Sequence, residues 1–302
     1  MLYKFSTSIS AIVLLYTLPA QAALPDPVKA MIEAAIASKN DADVQTVVKL
    51  AKSTNPDDVA EIDIMLASYA AEKAALAAAE ERKKLQAGFF ENWSGQGELG
   101  GFHSTGNTNS TGVSASLKLK KEGVRWRHNL RALADYQRTN GTTDREQFLA
   151  AYEPNYKFNE RLYAFGLAQY ERDRFQGFSS RITLSGGLGY AVIKSDDVVL
   201  NIKGGPAWRK TSLIGGGSDT SLAGLAALDS FWQISDNLRL TQDLNALVES
   251  DNSTFTSTTG LEAKLIGALS ARLSYSWEHE TNPPLGVEKT DKISRATLVY
   301  DF

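Results

Sequence analysis

The chain has no cysteine, which excludes both a disulfide framework and a thiolate metal site. Histidine is nearly as scarce, with three copies in 302 residues, and offers little to a histidine-rich metal centre. No stretch reaches the roughly 20 consecutive apolar residues that a membrane-spanning helix requires. Neither sign of charge dominates: the formal net charge is −3, and so weak an acidity speaks against nucleic acid as a partner. There is no GK[ST] phosphate loop, and Gly177-Phe-Ser179-Ser-Arg181 misses the spacing of a nucleophile elbow. These absences remove most soluble-enzyme readings, and no cofactor is expected.

What is present divides the chain into three. Residues 1–22 read as a secretory signal: Lys4 supplies the positive start, Ile9 to Leu18 the apolar centre, and Ala20-Gln21-Ala22 a small-residue cleavage site. Residues 23–90 carry helical spacing. Val28, Met31, Ile32, Ala35 and Ile36 recur at helical intervals after Pro27, which suits a first helical position. Asn40 or Asp41 can cap a second helix bearing Val44, Val47, Val48 and Ala51. Asn55 can cap a third, with Val59, Ile62, Leu66 and Tyr69, which then runs into the Ala/Glu/Lys-rich stretch Ala70 to Gln86 with little to bury. The segment reads as a small periplasmic helical bundle with a solvated stalk, or as an arm for a periplasmic partner.

Residues 91–302 alternate with the period of strands. Val113, Ala115, Leu117 and Leu119 face one way, and Ser114, Ser116, Lys118 and Lys120 the other. Trp126, His128, Leu130, Ala132 and Ala134 oppose Arg127, Asn129, Arg131 and Asp135 in the same manner. The last strand, Arg295 to Phe302, stops on an aromatic ring, which has a home at a membrane–water interface. About twelve such strands can be drawn, an even number that suits a single-chain outer-membrane barrel. The mean hydropathy of −0.25 agrees, because polar lumen residues alternate with lipid-facing ones. The expected fold is an all-β, antiparallel transmembrane barrel preceded by a short helical periplasmic segment.

Aromatic position separates this fold from a soluble sandwich. With the helical segment in the periplasm, Trp93, Trp126, Tyr156, Phe158, Tyr163, Tyr190, Trp232, Tyr300 and Phe302 fall near the inner edge. Tyr136, Phe148, Phe175, Trp208, Phe255 and Trp277 fall near the outer one. Two aromatic belts around aliphatic middles are what a bilayer selects. The inner turns are tight, and longer outer loops are expected at Thr211 to Asp219 and Glu280 to Thr290. Pro154 and Pro206 predict bulges, and the fifth strand is ambiguous because Tyr163, Phe165 and Leu167 share parity with Glu171 and Asp173.

The sequence segments Trp93-Ser-Gly95, Gly101 and Ser104-Thr-Gly106-Asn107-Thr108 resemble the opening of the YdiY-like salt-induced outer-membrane protein family. Tyr152-Glu153, Asn159-Glu160-Arg161-Leu162-Tyr163, Gly187-Leu-Gly-Tyr190 and Leu298-Val-Tyr-Asp-Phe302 are similar too. The resemblance covers about Trp93 to Phe302 and implies an outer-membrane barrel connected with salt stress; it brings no catalytic residues.

The residues expected to line the lumen carry both signs: Lys118, Lys120, Arg127, Arg131, Lys203, Arg239, Lys264, Arg272 and Arg295 against Asp135, Glu153, Asp243, Glu249, Glu262 and Glu278. They form either ion pairs that narrow the passage or a small pore with a slight anion preference. The favoured function is a narrow channel or a structural envelope component. A lipid-modifying enzyme of the outer-membrane phospholipase kind is the alternative, using His103 or His279 beside Ser104 or Ser276. Gly95-Gln-Gly97-Glu-Leu-Gly100 matches the dinucleotide fingerprint in letters only, with no strand before it and no helix after it. The expected partners are outer-membrane lipid and, through the closing strand, the barrel-assembly machinery.

Overall fold

The computed structural model describes residues 24–86, 88, 91–106, 110–139, 142–174 and 176–302. The signal segment and Phe175 lie outside the described residues. The chain divides into two compact units, residues 1–82 and 83–302.

In the first unit, α1 (Asp26–Ala37) has a proline in its first turn and α2 (Asp41–Thr54) is capped by Asn40, whose side chain accepts from the Ala42 N–H at 3.0 Å. A 3₁₀ turn (Pro56–Asp58) leads into α3 (Val59–Gln86). Leu24, Ile32, Val44, Val48, Ala51 and Ile62 form the buried centre, with Met65, Leu66 and Tyr69 packed around it. The apolar positions at helical spacing converge here because they form one stripe on each helix, and that stripe leaves water only by facing its neighbours. Asp41 accepts from Tyr69 Oη at 2.9 Å and from Lys73 Nζ, tying the start of α2 to α3. From Ala70 on, α3 buries almost nothing.

The second unit is a closed antiparallel barrel of twelve strands. They are β1 (Trp93–Thr105), β2 (Ser110–Glu122), β3 (Trp126–Thr139), β4 (Thr142–Lys157), β5 (Leu162–Asp173), β6 (Phe178–Lys194), β7 (Val198–Leu213), β8 (Ser218–Ser235), β9 (Leu238–Glu249), β10 (Thr254–Ile266), β11 (Leu269–Glu280) and β12 (Thr290–Asp301). Each strand pairs with its neighbours in sequence, and β12 pairs with β1 from Gln96↔Asp301 to Thr105↔Lys292. The closure is completed at its end by reciprocal bonds: the Gly95 N–H donates to Phe302 O at 2.7 Å and the Phe302 N–H to Gly95 O at 2.9 Å. The strands run from 12 to 18 residues, longer than the roughly 9–11 that cross a bilayer. The barrel has two rims, a near one carrying Trp93 and Phe302 and a far one opposite.

The seam explains the glycines that mimic a nucleotide fingerprint. A Cβ on Gly95 would sit 2.4 Å from the Phe302 ring, and one on Gly100 would sit 2.0 Å from the Ala296 carbonyl oxygen. Gly95 and Gly100 thus allow β12 to come close and serve barrel closure, whereas a Cβ on Gly97 would meet open space.

Three expectations are corrected. Pro154 and Pro206 make no bulge: the ladders beside them, Tyr152↔Ala168 to Asn155↔Phe165 and Ser185↔Ala207 to Leu188↔Gly204, resume in the same register. Glycines opposite, Gly166 and Gly186-Gly187, leave room for the rings, so the strands lose hydrogen bonds without gaining a residue. The long loop expected over Thr211 to Asp219 is mostly strand, with only residues 214–217 turning, because Gly216 and Gly217 adopt positive φ (95° and 88°) and close the hairpin tightly. The third correction concerns β5. Tyr163 and Phe165 are buried on the inward face with Glu171 and Asp173, so Tyr163 is no belt residue.

Candidate functional site: the barrel wall and lumen

The two faces of the wall differ in chemistry. Leu99, Leu117, Leu130, Leu184, Leu222, Leu244, Leu261, Leu273 and Leu298 all point outward and are exposed. An apolar girdle of this extent has no place on a water-facing protein. Aromatic rings flank it. At the near rim Trp126 meets Tyr156 edge-on at 5.2 Å, Tyr156 meets Phe158 at 5.5 Å, and Tyr300 stacks on Phe302 at 6.3 Å, while Tyr190 and Trp232 also face out. Trp93, on the outward parity of β1, begins this rim. Trp208 and Trp277 lie toward the far rim, the latter stacked on His279 at 5.6 Å. One outward polar residue, passed over in the sequence, is Gln242. Its amide donates to Ser257 Oγ at 3.0 Å and accepts from Thr259 Oγ1 at 2.6 Å, so the wall satisfies it internally.

The inward face is polar and layered. Toward the near rim, Glu122 accepts from Arg127 at 2.9 Å and Lys157 at 2.6 Å, with Lys120 at 3.3 Å. Lys203 on β7 pairs with Glu153 on β4, and Arg239 bonds Gln233 at 3.1 Å while lying over the Phe231 ring. Glu98 is shared by Arg272 at 3.1 Å and Lys118 at 3.6 Å. Gly260 makes room there, since a Cβ on it would lie 2.8 Å from the Arg272 guanidinium. Arg131 sits beside Lys118 across the β2–β3 ladder and is exposed, as is Lys264. Glu262 is buried opposite Arg272, and Asp243 and Glu278 are half-buried on the same inward parity. Between these layers lies an apolar cluster of Tyr163, Phe165, Ala207, Leu225 and Leu247 inside the barrel.

The far half is spanned from side to side. Arg295 on β12 reaches Asp135 on β3 at 2.6 Å, and Asp135 also accepts from Ser114 at 2.6 Å. Arg209 on β7 holds Glu249 on β9 and Thr254 on β10, both at 2.9 Å. Arg181 on β6 meets Glu280 on β11 at 2.7 Å, each side chain only 5% exposed. Four strands separate β6 from β11 one way round the barrel and six the other, so this contact crosses the lumen. Above it, Gln176 of the β5–β6 turn donates to Asp291 on β12 at 3.4 Å. A Cβ on Gly177 would fall 3.2 Å from Val287, because the β11–β12 connection lies over that turn. Arg181, Arg209, Glu280 and Glu98 were not singled out in the sequence. Their signal was the complement of the outward set: Ile182 and Leu184 facing out leaves Arg181 facing in.

The histidines do not form an active site with the serines named for it. His103 is exposed on the outward parity of β1, whereas Ser104 is fully buried on the inward one. His279 stacks outside on Trp277, whereas Ser276 bonds Thr258 and Arg295 inside. Neighbouring residues on a strand point to opposite faces, so the wall itself separates each pair. His128 is an outward residue between Trp126 and Tyr152, bonding the Tyr152 hydroxyl at 2.9 Å.

The chain is similar to the uncharacterized protein YdiY of Escherichia coli (strain K12), with 24% identity over 199 residues, covering 66% of this chain and 79% of that one. Among solved structures, the NanC porin aligns with a TM-score of 0.49 at 8% identity over 68% of this chain and 100% of its own. The COG4313 outer membrane channel from Pseudomonas putida F1 aligns with a TM-score of 0.46 at 10% identity over 72% of this chain and 100% of its own. The model of one family, described as a protein of unknown function, DUF481, matches residues 97–302, the barrel almost from end to end, and the chain belongs to that family.

Proposed function

We propose that the protein is an outer-membrane barrel acting as a narrow conduit for small solutes, shut at its far mouth in the described state. In this reading the far rim faces the outside and the helical unit the periplasm. The observation that carries it is the Arg181–Glu280 contact, which joins strands on nearly opposite sides of the wall. A buried guanidinium–carboxylate pair with further bonds, here from Asn252 to Glu280 at 2.9 Å, holds its geometry well. It can also part into two solvated charges when water enters, so such a pair suits a constriction that opens occasionally. Exposed cations in the near half, Lys120, Arg131 and Lys264, favour anions among the solutes that reach it.

Planar-bilayer recording tests this directly. The wild-type chain should show rare, small conductance steps. Arg181→Ala together with Glu280→Ala should raise both their frequency and their size, with a reversal potential on the anion side in a salt gradient. A large steady conductance in the wild type would contradict the constriction. Silence in both proteins would contradict the conduit.

A further inference from the structure

Beside the closing seam the outward wall turns polar toward the far rim, and here the polar groups include an exposed cation. On β12 the outward positions nearest the far rim are Thr290, Lys292 and Ser294, all polar, before the apolar run Ala296, Leu298 and Tyr300 begins. On the adjoining β11 the same levels carry His279, Trp277 and Tyr275. Ser294 thus lies level with Tyr275, one step inside the Trp277 ring. On the other side, β1 places His103 beside Ser294 and Thr105 beside Lys292. Neighbouring strands are about 4.8 Å apart, so these groups share a notch about 10 Å wide. Tyr275 and Trp277 wall one side, and the small outward residues Gly101 and Ala296 floor it.

From this geometry we infer that the notch seats a phosphate group of lipid A from the outer leaflet. The inference rests on the proposed outer-membrane orientation. Lys292 is exposed and makes no ion pair among the described residues. The carboxylates nearby on β11 and β12, Glu278, Glu280 and Asp291, lie on the inward face, Glu280 and Asp291 buried there. His103 Nδ1 is engaged by Thr111 Oγ1 at 3.1 Å, which fixes the ring and leaves Nε2 for a ligand. His279 is built the same way, with Nδ1 on Thr290 Oγ1 at 2.8 Å. Hydroxyls, imidazoles and an ammonium without an acid between them are complementary to a phosphate monoester. The floor of Gly101 and Ala296 opens downward onto Leu99 and Leu298, both exposed, where acyl chains continue.

The test uses the full chain in detergent micelles, mixed with defined lipids and read by native mass spectrometry. Bisphosphorylated lipid A should be retained, while lipid A stripped of its phosphates, phosphatidylglycerol and phosphatidylcholine should be retained less. Lys292→Glu with His103→Ala should weaken retention by about fivefold or more, the scale expected for each surface cation removed. Heat-modifiable gel migration establishes that the variant barrel is folded. Equal retention by wild type and a folded variant would overturn the inference, as would equal retention of phosphatidylglycerol. Membrane fractionation separates the two levels of failure. A barrel found in the outer membrane that retains no lipid A refutes the notch alone, and a barrel absent from that membrane refutes the orientation beneath it.

Discussion

At the scale of the residue, the clearest constraint is the meeting of Gly95 with Phe302. The ring covers the backbone where a side chain would stand, with a would-be Cβ also 2.8 Å from Leu119. Gly95→Ala should therefore push the ring aside and destabilise the barrel by about 1–3 kcal/mol, the usual cost of overpacking. Phe302→Ala in the same chain should recover part of that loss, because the two residues share one contact. Urea unfolding midpoints in micelles would show it, and strictly additive losses would contradict the contact. Sequence letters alone offered a dinucleotide fingerprint at these glycines and gave no hint of the ring, since the contact joins the first and last strands, far apart in sequence. Arg181 and Glu280 were hidden for the same reason. Parity tells which face a charge is on, but not which charge stands opposite across a lumen.

At the scale of the element, alternation made most of the twelve strands readable because one face of each is greasy and the other wet. β5 defeated the pattern because Tyr163, Phe165 and Leu167 pack inside, with Leu225 and Leu247. An inward apolar cluster looks like an outward one in sequence, and only the shared parity with the buried Glu171 and Asp173 betrays it. The helices were legible from spacing and from the Asn40 cap, whereas Asn55 caps no N–H and its side chain instead donates back to Ala51 O at 3.0 Å. Ile62 is completely buried at their centre, so Ile62→Ala should cost about 2–5 kcal/mol. Loss of helical circular dichroism should then occur at lower temperature while the barrel signal is unchanged. The bonds from Lys73 and Tyr69 hold the Asp41 carboxyl below its ordinary value of 3.8. A depressed acid stabilises the fold above its unfolded value and loses that contribution as pH falls through the folded one. Melting of the helical unit should thus drop below about pH 4, and Asp41→Asn should show a smaller drop. An equal drop in the variant would remove Asp41 from the explanation.

At the scale of the whole molecule, closure is what turns alternating strands into a wall with two chemistries. A closed sheet has no free edge, so the backbone groups of each strand find partners on both sides apart from the breaks at Pro154 and Pro206, as hydrocarbon demands. The lumen then needs charges with partners, and the ion pairs from Glu122 to Glu280 supply them layer by layer. Because the natural chain has no cysteine, single cysteines can be placed anywhere and labelled without background. Leu244 faces out and the adjacent Asn245 faces in, which makes this pair decisive. A fluorophore on Leu244→Cys in a reconstituted bilayer should be quenched by brominated acyl chains and spared by aqueous iodide. One on Asn245→Cys should be spared by the brominated lipid. If both labels respond alike to the lipid quencher, the outward face does not meet the bilayer and the transmembrane barrel is wrong.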